Sequence, residues 1–384
     1  RMKRLLGASV PLGAALVAFV LGSLMILALG ENPISGASAI IEGAFGSGDR
    51  VAVTAVRATP LLLVGIGITI AFRASVINIG GEGQIIAGAL LSTAVALAIP
   101  DTPRALLLPI VMIAGMIGGG IWGAIPGALK AYASVNEILS TVMLNIVAVQ
   151  LMNFLLRGPM IDPIEKTGSR IPQTERLSDN AAMPSLAEGT RLHLGVVIAV
   201  VAAIVVYIIL WRTPLGFRLR AVGHNPDAAR AAGISVEKNI TTAMAMSGAL
   251  SGLAGVMLVF GSESLRMVTD GGAAGFTGSA GFNGIVAALF GGLHPLWTVP
   301  SSFLFGALLT GATKLQQALQ IPAALAVALN GLIVLFVVSS DRLRSWLERR
   351  LNQGAFATET AELRESNDDR VDEQQNSTTQ DTIR

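Results

Sequence analysis

Apolar runs of membrane-spanning length follow one another along the chain. They fall at about 8–30, 51–72, 78–99, 105–129, 137–156, 194–211, 240–260, 281–297, 298–313 and 321–339. A helix needs roughly 20 predominantly apolar residues to cross the hydrocarbon core. The pattern predicts an all-α, polytopic transmembrane helix bundle of about ten spans, several broken by glycine or proline. The run at 281–297 carries Gly284, Gly291, Gly292 and Pro295 and reads as interrupted. Pro60 is expected to kink the second span. Composition agrees. Of the 384 residues 52% are hydrophobic and only 14% charged, with mean hydropathy +0.64, whereas a soluble domain carries about 25% charged residues.

Lysines and arginines in short loops near span ends set orientation. With the N-terminus inside, the inner side receives Arg1, Lys3, Arg4, Arg73, Lys130, Arg212, Arg218, Arg220, Arg230, Lys238 and the cluster Arg342, Arg344, Arg349 and Arg350. Short outer loops receive Arg50, Arg104, Arg266 and Lys314. One long outer loop balances Arg157, Lys166, Arg170, Arg176 and Arg191 with Asp162, Glu165, Glu175, Asp179 and Glu188. Both termini are therefore expected in the cytoplasm. The first run exceeds the usual ~7–15-residue signal core and has no small-residue cleavage site after it, so it reads as a retained span. The transmembrane domain is assigned to residues 1–340. Residues 341–384 form a polar, acidic tail that cannot bury enough apolar surface to order, and it reads as disordered and cytoplasmic.

Residues 78–84 read Asn78-Ile-Gly-Gly-Glu-Gly-Gln84 at the start of an apolar run. Polar, irregular backbone at membrane depth persists only where it is buried in protein or lines a watery cavity. Asn78 is a candidate helix cap, with Glu82 in the first turn where the helix dipole favours an acid. That makes the segment either a packing turn at the cytoplasmic edge or a broken helix facing a solute path, and the two are compatible. It is not a dinucleotide fingerprint, because Ile86 stands where the third glycine belongs.

The inner loop from Arg212 to Lys238 contains complete helix signals. Asn225 suits the N-cap, Pro226 the first helical position, and Asp227 the dipole. Ala228, Ala229, Ala231 and Ala232 propagate the helix and Gly233 ends it. About two turns are marginal alone in water, so this helix should dock, either on its own bundle or on a cytosolic partner.

Polar residues inside runs are Glu137, Asn145, Gln150, Asn153, Asn283 and Asn330. Such groups either join helices or face a path. Asn145 and Asn283 are the deeper path candidates, whereas Asn136 and Glu137 beside Lys130 read as interfacial capping. Arg57 and Arg73 flank the second span and are expected to snorkel to the headgroups. The chain has no cysteine, and His193, His224 and His294 lack metal-ligand spacing. No P-loop, zinc-protease motif or nucleophile elbow occurs. No catalytic, metal or nucleic-acid site is expected, and if ATP drives this protein a separate chain hydrolyses it.

Three segments together resemble ABC-transporter permeases of the ribose, branched-chain amino acid and nucleoside group. They are residues 78–84, the stretch Val135-Asn-Glu-Ile-Leu-Ser-Thr-Val-Met-Leu-Asn145, and Gly216-Phe-Arg-Leu-Arg-Ala-Val-Gly-His-Asn-Pro-Asp-Ala-Ala-Arg-Ala-Ala-Gly-Ile234. The Gly-Gly-Glu-Gly-Gln version is most similar to one of the two permeases of bacterial nucleoside importers of the basic-membrane-protein type. The likeness runs from about residue 50 to 340 and leaves out the acidic tail and the long outer loop.

The resemblance implies a multi-pass protein of the bacterial plasma membrane, paired with a second, homologous permease as a heterodimer. It further implies cytosolic ABC ATPase subunits that hold ATP and magnesium, and an extracytoplasmic solute-binding lipoprotein. Asn78, Glu82, Gln84, Asn145 and Asn283 are the expected path residues for a small polar solute. Arg220, Asn225, Pro226, Asp227, Arg230 and Gly233 are the expected ATPase-coupling residues. A permease for a simple sugar such as ribose or galactose is the alternative. A transporter driven by an ion gradient through Glu82 and Glu137 is a further one.

Overall fold

Each described helix starts and stops where local chemistry directs it. The computed structural model describes residues 31–320 except 169, 170 and 188, plus a few isolated positions on either side. The expected spans at 8–30 and 321–339, Asn330 and the acidic tail lie outside the described residues. Helix α1 (Pro33–Phe45) is capped by Asn32, and α2 (Gly48–Arg73) by Ser47. Then follow α3 (Gly81–Ala98), α4 (Arg104–Ala133), α5 (Glu137–Arg157), α6 (Pro163–Thr167) and α7 (Gly195–Arg212). On the α7 side of the bundle come α8 (Pro214–His224) and α9 (Pro226–Ala231), and the chain continues through α10 (Val236–Phe260), α11 (Ala273–Thr277), α12 (Ala280–Phe290) and α13 (Pro295–Leu319). No strand forms among the described residues; there are two isolated bridges, Gln173 with Val268 and Ser185 with His193.

Among the described residues seven helices are long and apolar enough to cross a membrane: α2, α3, α4, α5, α7, α10 and α13. One expected boundary moves. The expected division between 297 and 298 falls inside α13, and the break lies at Gly291–His294, where Gly292 takes φ +63 and Pro295 opens the next helix. Thus α12, with 11 residues, is too short to span alone. Helix α2 continues through Pro60. Helix α1, with 13 residues, is shorter than the roughly 20 a span requires.

Helices α2, α3 and α10 form the centre: 72%, 72% and 78% of their apolar windows are buried, against 28% for α5 and α7. Membrane helices gain little from apolar burial against one another, so close backbone approach and hydrogen bonds must hold them. Gly115, Gly119 and Gly123 of α4 recur every fourth residue and face Gly248 and Gly252 of α10. A Cβ on Gly119 would collide with the Gly248 carbonyl and the Gly252 backbone. Exposed Ile113, Ile117 and Ile121 of α4, Met143 and Val147 of α5, and Val201 and Ile208 of α7 give the bundle its apolar perimeter.

Arginines expected at headgroups turn inward instead. Arg57 donates from Nη1 to the Leu309 carbonyl at 2.9 Å and to Thr313 Oγ1 at 2.8 Å, tying α2 to α13. Arg73 donates to the Leu293 carbonyl at 2.9 Å. The long loop between α5 and α7 is tied to the loop after α10 by charge. Asp162 accepts from Ile164 N and pairs with Arg266 at 2.6 Å. The Ile164 amide first, then the Arg266 guanidinium, hold its carboxyl below the usual carboxylate range. Replacing Gly119 with alanine must push α4 from α10 and should cost about 1–3 kcal/mol. Unfolding in detergent should show it as a lowered Tm, and an unchanged Tm would show that the two helices do not need this contact.

Candidate functional site

The 78–84 segment lies well inside the bundle from the end of α2. A Cβ on Gly81 would sit 3.4 Å from Val64 Cγ1 and 3.2 Å from Gly281 Cα. Val64 is separated from Arg73 by about 13 Å of helix rise. Residues 74–80 therefore carry the chain back into the bundle before α3 begins, and α3 and α12 start side by side at mid-depth. This is the discontinuous-helix arrangement that binding sites in many transporters share.

Two helix N-termini inside a bundle leave amides that water cannot satisfy. Asn78 does not cap α3 as expected. The N-cap is Gly80, which has no side-chain cap, and Asn78 Oδ1 accepts from Gly80 N at 2.9 Å. The third helical amide, Gly83 N, donates to Asn145 Oδ1 of α5 at 2.8 Å. Asn145 Nδ2 returns to the Ile79 carbonyl at 2.9 Å. The cap thus comes from a residue 62 positions away. Gly83 is required here because a Cβ would meet Asn145 Oδ1 and Trp122 Nε1 at 3.0 Å each.

Asn78 and Gln84 face each other as a reciprocal amide pair. Asn78 Nδ2 donates to Gln84 Oε1 at 3.0 Å, and Gln84 Nε2 donates to Asn78 Oδ1 at 3.1 Å. Asn78 Nδ2 also donates to Ser247 Oγ of α10 at 2.8 Å. Nothing in the sequence distinguished Ser247 from other small residues of its helix. Both amides are buried, so these bonds form in a low-dielectric setting where a missing partner is costly.

Glu82 caps the other break. Its Oε1 accepts from Phe282 N, the third amide of α12, at 3.2 Å. The carboxylate therefore lies at the positive ends of two helix dipoles. Oε2 is buried without a hydrogen-bond partner. Thr277 is beside it, but its hydroxyl donates to the Ala273 carbonyl. None of the ion pairs among the described residues includes Glu82. Asn283 follows Phe282 on α12, half-buried, with no side-chain hydrogen bond.

All five expected path residues thus gather round the start of α3, but only Glu82 Oε2 and Asn283 have polar atoms free. Gln150, a polar residue of the α5 run outside the expected path set, also has its amide free. Gln150 is exposed on α5 between Val147 and Phe154, beside a cleft of about 680 Å³ that also meets Asn153, Arg157 and Gly271. Its signal was its place in an apolar run, which it shared with Asn153, now bonded to Thr269 and to the Gly271 carbonyl. A second cleft of about 690 Å³ opens among the α2 start, the α10 end and the long outer loop, with Asp49, Arg191 and His193 on its wall. Burial holds the His193 imidazole below its usual range, and its Nδ1 accepts from Gly195 N at 3.1 Å.

The loop between α7 and α10 holds two helices. Thr213 caps α8 by accepting from Gly216 N, a Thr-Pro signal that the sequence did display. Asn225 caps α9 by accepting from Asp227 N and Ala228 N, both at 3.0 Å, and Gly233 leaves it at φ +79. Ala229 alone in α9 is buried, packed with Val222 of α8 and Val236 of α10. Arg230 pairs with Asp227 at 3.3 Å and with Glu237 of α10 at 2.9 Å. Pro226, Asp227, Ala228 and Ala231 remain exposed on the outer side of this small helix. Arg220 is apart from it, half-buried over Trp211.

A mid-depth meeting of broken helices, below which a rigidly seated helix projects from the bundle, defines a membrane permease. The chain belongs to the family described as branched-chain amino acid transport system / permease component, whose pattern matches residues 50–338. It is 36% identical over 354 residues to the guanosine ABC transporter permease protein NupP of Bacillus subtilis, covering 92% of this chain and 99% of that one. It is 34% identical to the nucleoside ABC transporter permease protein NupB of Lactococcus lactis, covering 85% and 90%. It is 32% identical to the glucose ABC transporter permease protein TsgB13 of Haloferax volcanii, covering 86% and 87%. No solved structure matches the chain.

Removing the Glu82 side chain strands the Phe282 amide, whereas glutamine keeps an acceptor there. Glu82→Ala should destabilise by about 1–3 kcal/mol and lower the yield of folded protein. Glu82→Gln should fold as wild type. Equal thermal stability of the two variants would contradict the capping role.

Proposed function

We propose that this chain is the membrane-spanning permease of an ATP-driven importer that carries nucleosides across a bacterial plasma membrane. It works beside a second, homologous permease, with two cytosolic ATPase subunits that hold ATP and magnesium and an extracytoplasmic lipoprotein that delivers the solute. The observation that carries this reading is α9. It is capped at Asn225, stopped at Gly233, anchored through Ala229 and Arg230, and otherwise exposed. A helix so fixed at its base transmits a push to α8 and α10 rather than absorbing it. ATP binding would move the ATPases against Pro226, Asp227 and Ala228, and α10 would carry that displacement to Ser247 and the Asn78–Gln84 pair. Two access states biased by ligands follow the general pattern of such machines.

In this reading Asn78, Gln84 and Asn145 hold the wall of the path, and Asn283 presents a free amide to the solute. Amides that bind ribose hydroxyls suit nucleosides and sugars alike. The names of NupP and NupB favour nucleosides, and that of TsgB13 keeps a simple sugar as the second reading. An ion-coupled mechanism has less support, since Glu137 is paired with Lys130 at 2.9 Å.

Two readouts in one deletion strain test this. The chain has no native cysteine, so Ala231→Cys gives a single thiol on α9. It should cross-link to an ATPase subunit, and the complemented strain should recover uptake of labelled guanosine but not glucose. Glucose uptake alone would establish the sugar reading. An α9 thiol that reaches only reagents outside the cell would overturn the importer reading.

A further inference from the structure

Two arginines share one indole where α2, α7, α8 and the α12–α13 turn converge. The guanidinium carbons of Arg73 and Arg220 lie 5.3 and 5.9 Å from the Trp211 ring centroid. Tyr207 stacks on Trp211 at 5.3 Å, and His294 meets it at 5.0 Å. Three buried nitrogens here, Arg73 Nε, Arg220 Nε and His294 Nδ1, have no hydrogen-bond partner. They make up half of the six such buried side-chain atoms among the described residues. Arg73 makes a single hydrogen bond, to the Leu293 carbonyl, and Arg220 makes none. No carboxylate among the described residues pairs with either arginine.

A snorkelling arginine extends its head into water. Here both heads fold back onto the same ring, close enough to repel each other. Cation–π attraction holds each to the indole, but it does not cancel the repulsion or satisfy the buried N–H groups. An anion seated between the two guanidinium groups does both. The cluster also lies at the right level for one source of anions. Arg73 and Trp211 end their spans, and tryptophan and tyrosine gather at the headgroup layer. Basic pockets between helices at the cytoplasmic surface take anionic lipid headgroups.

We propose that Arg73, Arg220 and His294, on a platform of Trp211 and Tyr207, bind the phosphate of an anionic phospholipid in the inner leaflet. The lipid would clamp α8 to the end of α2, and so stiffen the base from which α9 projects.

Native mass spectrometry of the full chain in mild detergent, titrated with phosphatidylglycerol and separately with phosphatidylcholine, tests this. The wild type should retain one phosphatidylglycerol in preference to phosphatidylcholine. Arg220→Gln should weaken that retention at least about tenfold. Arg218→Gln, which changes an exposed arginine of the same helix, should not. Arg73→Gln should act like Arg220→Gln. If it fails to fold for want of the Leu293 contact, Arg220→Gln decides, since that side chain makes no hydrogen bond to lose. Equal retention by wild type and Arg220→Gln would overturn the proposal. Inorganic phosphate that binds in the absence of lipid and displaces phosphatidylglycerol at millimolar concentration would also overturn the lipid assignment, and would leave a site for a soluble anion.

Discussion

Amides at the start of a helix need acceptors, and in the middle of a membrane bundle only the protein can supply them. This constraint organises the structure. Helices α3 and α12 both begin at mid-depth, with Gly81 against Gly281. The acceptors come from other helices: Asn145 of α5 serves Gly83, and Glu82 of α3 serves Phe282 of α12. Each break is thereby tied to the helix beside it. Glycine faces between α4 and α10 and the Arg57 contact with α13 hold the surrounding frame at the spacing these bonds require.

The same bonds connect the mid-depth breaks to the surface that a motor would grip. Asn78 holds Ser247 of α10, and α10 begins with Val236 and Glu237, which receive Ala229 and Arg230 of α9. One continuous helix thus links the polar amides at mid-depth with the exposed helix at the membrane surface. The rod is bonded at its base, through Val236 and Glu237, and near its middle, through Ser247, so a displacement of the base reaches the amides at mid-depth. The long loop between α5 and α7, held by the Asp162–Arg266 pair, lies at the opposite end of the bundle.

Much of the fold was legible because apolar run length reports directly on bilayer thickness. The α9 signals were equally readable, since Asn225, Pro226 and Gly233 act on their own backbone neighbours. Other features were not. The depth of residues 78–84 depends on a descent from Arg73 that no periodicity encodes. Asn78 looked like a local cap, and only the fold shows the cap arriving from Asn145. Arg57 and Arg73 carry the same sequence signature whether they meet headgroups or carbonyls of α13 and its preceding turn. Gln150 and Asn153 looked alike in the chain, yet Thr269 and Gly271 engage one and leave the other exposed. What sequence reads well is interaction within a few residues; what it misses is the choice of a distant partner.

The Asn145 cap of α3 sustains the break at mid-depth, and amide hydrogen exchange in lipid nanodiscs reads that bond directly. Asn145→Leu removes the acceptor while keeping an apolar side chain of similar size. Exchange across residues 79–86 should accelerate by about tenfold or more, while α7, which does not touch this bond, stays protected as in the wild type. Unchanged protection at Gly83 in a folded Asn145→Leu protein would contradict the claim that a remote side chain sustains the break.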